Sequence, residues 1–134
     1  MIAIARFLKL LLRLSGLGAL LLGLAFWAGF AFSWQTVHVA FGMLLVVTLW
    51  ATAVLAIRAD THRALAIVAF LWGTAVVAFG YEQAAILPGP MHWIVALAHL
   101  AAGGIAMGLG VVLAAAVERA ISGEPEELAV ADQR

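Results

Sequence analysis

Apolar residues run through this chain in four long blocks, at 7–32, 35–57, 64–81 and 91–117. Three short polar breaks separate them. The first is Ser33 to Thr36. The second holds Arg58, Asp60, His62 and Arg63. The third runs from Glu82 to Pro90 and contains Pro88-Gly89-Pro90, a turn in which proline removes a donor and fixes φ. Each block is apolar all round and close to the roughly 20 residues that cross a bilayer as an α-helix. Membrane strands alternate in polarity over about ten residues, which these blocks do not do. The pattern predicts an all-α fold, a four-helix transmembrane bundle in one domain over residues 1–117. Residues 118–134, with Glu124, Pro125, Glu126, Glu127 and Asp132, read as a polar, solvated and partly disordered tail.

Composition narrows the function classes. Of 134 residues 66% are hydrophobic and 10% charged, which leaves no charged coat for a soluble domain. The formal net charge is zero, so nothing points to nucleic acid as a partner. Cysteine is absent, which excludes disulfides, thiolate sites and iron–sulfur clusters. Lys and Arg set the orientation. Arg6, Lys9 and Arg13 precede span one, Arg58 and Arg63 separate spans two and three, and Arg119 follows span four. The other two breaks have neither residue. This predicts both termini in the cytoplasm (N-in, C-in) of a bacterial inner membrane, with the lipid bilayer as the constant partner. Trp34, Tyr81 and Trp93 then fall at the outer interface as an aromatic belt. Arg6, Lys9 and Arg13 share a helical face and read as an amphipathic lead-in at the headgroups. The first apolar run is too long for a signal-peptide core and reads as a permanent anchor.

Lipid tails are as apolar as leucine, so helix association in a bilayer depends on close packing at small residues. Span one offers Ser15, Ala19 and Gly23. Span three offers Ala69, Gly73 and Gly80. Span four offers Gly103, Ala106, Gly110 and Ala114. These stripes predict bundle contacts and by themselves imply no activity.

Ionisable groups at membrane depth are costly and mark candidate sites. His38 lies near the outer start of span two, and His92 and His99 lie on span four, seven residues apart on one face. His62 reads as a solvated loop residue. Span two reads His38-Val-Ala-Phe-Gly42 and span four His99-Leu-Ala-Ala-Gly103, so the two hairpins form a weak internal repeat. Haem b asks for this arrangement: an imidazole from each of two facing helices, with a glycine one turn away making room for the macrocycle. Phe41, Leu45, Trp50, Phe79 and Met107 are candidates for its apolar surroundings. The predicted iron ligands are His38 and His99, with Gly42 and Gly103 as cofactor contacts. His92 is a propionate partner or alternative ligand. Counted from the predicted helix starts, His38 lies roughly 5 Å deep and His99 roughly 12 Å, an offset left to tilt and boundary error. The outer face supplies no Lys or Arg for propionates, only His92, Gln35, Gln83, Ser33, Thr36 and the indoles of Trp34 and Trp93.

On His38 with Gly42, His99 with Gly103 and the span count, the chain resembles the four-helix membrane cytochrome b proteins and one half of haem A synthase. The segment from Leu87 through His99-Leu100 is also similar to small uncharacterised bacterial membrane proteins. The resemblance implies haem held between spans two and four near the outer leaflet, for electron transfer or haem handling. Two other readings use the same residues. One is a cofactor-free accessory subunit of a larger membrane complex, for which His38 and His92 are interfacial histidines and His99 makes a helix-to-helix hydrogen bond. The other is a small transporter or metal site built on His38, His92 and His99, although only Thr48, Thr52 and Thr74 lie deeper. A redox partner and self-association are both compatible with the chain. No catalytic triad, carboxylate pair or phosphate loop is visible, so an enzyme acting alone is not expected.

Overall fold

The computed structural model describes residues 1–123, and the acidic stretch 124–134 lies outside the described residues. Four helices account for almost all of the rest: α1 (Ile2–Trp27), α2 (Gln35–Arg58), α3 (Arg63–Glu82) and α4 (His92–Ser122). All four are long and apolar enough to cross a membrane, and no strand occurs among the described residues. The all-α four-helix architecture follows from the sequence pattern, but two boundaries differ from it. The first helix ends at Trp27 rather than at 32, because the chain turns at Gly29 (φ 85°) and Ala31 (φ 61°). A 3-10 turn, Phe32–Trp34, then leads directly into α2. The last helix continues to Ser122 and stops at Gly123, whose φ of 71° is the left-handed conformation favoured at helix ends. Residues 118–122 are therefore helix, not tail.

The continuation of α4 is supported by a tertiary contact. Glu118 meets Lys9 of α1 at 3.2 Å, with both side chains mostly covered. Lys9 thus turns toward α4, while Arg6 and Arg13 stay exposed. Among the described residues this ion pair ties the first helix to the last at this end of the bundle. The Arg63–Asp60 pair in the α2–α3 turn is solvated on both sides and contributes little to stability.

Helices α2 and α4 form the centre, with α1 on one side and α3 on the other; each outer helix packs on both central ones. Small residues set the closeness. A Cβ on Gly110 of α4 would lie 2.7 Å from Leu12 Cδ2, and one on Gly16 of α1 2.5 Å from Met107 Sδ. On the other side, a Cβ on Gly73 would lie 2.8 Å from Trp50 Nε1 and 3.2 Å from Val46 Cγ1. Indole N–H groups add bonds across helices. Trp50 donates to the Phe70 carbonyl at 3.1 Å and Trp72 to the Ala102 carbonyl at 3.0 Å. The hydroxyls of Ser15, Thr48, Thr52 and Thr74 instead donate back to carbonyls of their own helices, the local pattern that satisfies a hydroxyl without a partner on another helix.

The hairpin repeat extends into the packing. Gly16 and Gly23 on α1 recur as Gly73 and Gly80 on α3; His38, Gly42 and Val46 on α2 recur as His99, Gly103 and Met107 on α4. Met107 covers Gly16 as Val46 covers Gly73. His38 lies over Gly23, with Cε1 3.4 Å from a built Cβ, as His99 lies over Gly80 at 3.0 Å. The two hairpins thus repeat these contacts, and the two histidines hold matching positions in them.

Candidate functional site

The two histidines meet near the end of the bundle that carries the 28–34 and 83–91 connections. Their ring centres are 6.3 Å apart and their planes inclined by 51°. The depth offset expected from the helix starts is removed by the 3-10 turn. Counted along the continuous segment Phe32–Arg58, His38 stands six residues in; His99 stands seven residues after His92. Phenylalanine flanks each ring: Phe26 lies 5.3 Å from His38, and Phe79 5.8 Å from His99.

Hydrogen bonding distinguishes the two imidazoles. His38 Nδ1 lies 3.0 Å from the Ala19 carbonyl oxygen. A carbonyl only accepts, so Nδ1 of His38 holds the proton, and in the neutral ring Nε2 presents its lone pair. His99 Nδ1 is buried without a partner. The expected helix-to-helix bond from His99 is thus not made, and an unpaired polar atom at this depth costs about 1–3 kcal/mol unless something else meets it. Among the described residues, Nε2 of neither ring has a protein partner.

Both rings line a cavity of about 580 Å³. This lies within the roughly 300–1,000 Å³ of pockets that hold cofactors and small ligands. Its long walls are α1 and α4, with Leu20, Gly23, Leu100 and Gly104 among the lining. Helix α1, read from sequence as a packing element, therefore forms one whole wall. At the end nearest the connections the lining turns polar, with Gln35, Gln83, His92 and the Trp93 indole. These are four of the seven donors that the sequence offers for that face.

The remaining predicted residues divide. Gly103 lines the cavity and Gly42 does not. A Cβ on either would meet nothing within 4 Å. The glycines that admit the imidazoles are instead Gly23 and Gly80 on the neighbouring helices. Leu45 and Met107 line the cavity, whereas Phe41 lies on Gly18 and Trp50 faces α3. His92 stands apart from the pair. Its Nδ1 donates to the loop carbonyl of Ile86 at 3.2 Å, the behaviour of an interfacial histidine. Among the described residues no three of His, Cys, Asp and Glu assemble as metal donors, so His38, His92 and His99 do not form a three-imidazole site.

No family model, curated protein or solved structure matches the chain. The site's chemistry therefore rests on its own geometry.

Proposed function

We propose that this chain is a membrane haem b protein in which His38 and His99 are the two axial ligands. The observation that carries the reading is the ring pair itself. Metal–imidazole bonds of about 2.0–2.1 Å put the centres of two opposed imidazoles roughly 6 Å apart, and the separation here is 6.3 Å. Three further features fit. The Ala19 carbonyl fixes the His38 tautomer that leaves Nε2 free to bind metal. The adjoining cavity is largely apolar and of cofactor size. Gln35, Gln83, His92 and Trp93 give its polar end neutral donors suited to carboxylates.

In this reading Gly103 and Gly104 would leave the α4 wall of the cavity open to haem, and Phe26 and Phe79 would cover the imidazoles. Bound there, haem would supply one-electron transfer, and His38, His99 and the low dielectric around them would set its potential. The basic residues at the opposite end of the bundle support a reading with both termini in the cytoplasm and the site toward the outer leaflet of a bacterial inner membrane. A redox protein or a larger membrane complex would complete the electron path.

The test is the absorption spectrum of the detergent-purified protein from haem-replete cells. A Soret band with the sharp reduced bands of a six-coordinate low-spin haem is expected, and His38→Ala and His99→Ala each lose that low-spin signature. A colourless protein, or a spectrum indifferent to both substitutions, refutes the reading.

A further inference from the structure

His38 and His99 hold matching positions in the two hairpins, yet their hydrogen bonding differs. His38 Nδ1–H donates to Ala19, four residues before Gly23, the glycine on which its ring lies. The equivalent carbonyl for His99 belongs to Val76, four residues before Gly80. Among the described residues that carbonyl receives no bond from the ring, and His99 Nδ1 is buried and unpartnered. A hydrogen bond to the far nitrogen of a metal-bound histidine fixes the ring's orientation and raises its basicity, and it is worth about 10–100-fold in metal affinity. One of the two ligands has this support and the other lacks it.

We infer that His38 is the anchoring ligand and His99 the exchangeable one, so that the site admits a small neutral diatomic molecule in place of the His99 imidazole. This rests on the haem reading above. The ring of His99 has no hydrogen bond to break on turning. His38, by contrast, must give up its bond to Ala19 to move. The exchange is a substitution without change of oxidation state: the bond from iron to His99 Nε2 breaks, and a bond from iron to the incoming molecule forms.

Carbon monoxide is the probe. It is added at saturation to the dithionite-reduced, haem-loaded wild-type protein in detergent. The low-spin reduced spectrum is expected to convert to that of a carbon monoxide adduct, with a single protein histidine remaining on the iron. His99→Ala is expected to retain haem in a five-coordinate state. His38→Ala is expected to retain it at least about tenfold more weakly than His99→Ala, from the affinity that the outer hydrogen bond confers. A six-coordinate spectrum that saturating carbon monoxide leaves unchanged overturns the inference and leaves the haem reading intact. Equal loss of haem from the two variants also overturns it. The wild-type measurement needs no substitution, so a variant that fails to fold does not remove the test. A wild-type protein that takes up no haem overturns both the inference and the reading beneath it.

Discussion

Placing a methyl group at Gly80 tests whether the His99 ring is held where the structure has it. The Cβ of Gly80→Ala would lie 3.0 Å from His99 Cε1. Carbon atoms in contact prefer about 3.5–4.0 Å, so the ring must retreat by roughly half an ångström or more. Crowding the ring costs about 1–3 kcal/mol, toward the low end because the adjoining cavity lets it give way. Alanine in place of a mid-helix glycine returns up to about 1 kcal/mol of helix preference. Gly103→Ala is the matched control, since its Cβ meets no neighbour and it collects the helix preference alone. The two variants should therefore differ by about 1–3 kcal/mol in unfolding free energy, with Gly80→Ala the less stable. Gly23→Ala, where the approach to His38 is 3.4 Å, should fall between them. The assay is reversible unfolding in mixed detergent micelles, followed by circular dichroism on the haem-free protein. If Gly80→Ala and Gly103→Ala unfold within about 0.5 kcal/mol of one another, the ordinary range for uncrowded substitutions, the placement of His99 over Gly80 is wrong.

Three further outcomes follow from the packing. Gly110→Ala, whose methyl would meet both Leu12 and Leu49, should destabilise the bundle by about 1–3 kcal/mol in the same assay, and a neutral result contradicts the close α1–α4 contact. Trp72→Phe removes the indole donor to Ala102 and should cost about 0.6 kcal/mol, at most about 1.7, the measured scale for hydrogen bonds between membrane helices; a cost well above that range would mean the indole chiefly fills space. Lys9→Met leaves the Glu118 carboxylate without its partner, so a double-mutant cycle with Glu118→Gln should return part of the loss as a positive coupling energy, and strictly additive effects would show that the pair does not join α1 to α4.

How far the sequence reveals the bundle depends on the feature. Four helices are legible because lipid demands long uninterrupted apolar runs. The halt at Gly29 is not, because glycine is common inside membrane helices and this one sits in an unbroken apolar stretch. The extension through Glu118 is hidden for the opposite reason: a carboxylate reads as the start of solvent until Lys9, more than a hundred residues away, meets it. His38 and His99 are identifiable as a pair from the hairpin repeat alone, but their glycines are harder to assign. Glycine at i+4 on the same helix is the visible pattern, giving Gly42 and Gly103. A ring projecting from one helix instead needs space on the next, which Gly23 and Gly80 provide. The signal for them was the seven-residue interval Gly16–Gly23 repeated as Gly73–Gly80, a match between hairpins rather than within a motif. The difference between the two imidazoles lies wholly outside sequence patterning, since it turns on whether a nitrogen reaches one backbone carbonyl.

Titration of haem b into the purified haem-free chain tests the central claim most directly. Saturation at one haem per chain, with a low-spin spectrum that is absent in His38→Ala, is the result predicted from the paired imidazoles and the cavity beside them. Uptake that never saturates, or that proceeds equally well in His38→Ala, would contradict it.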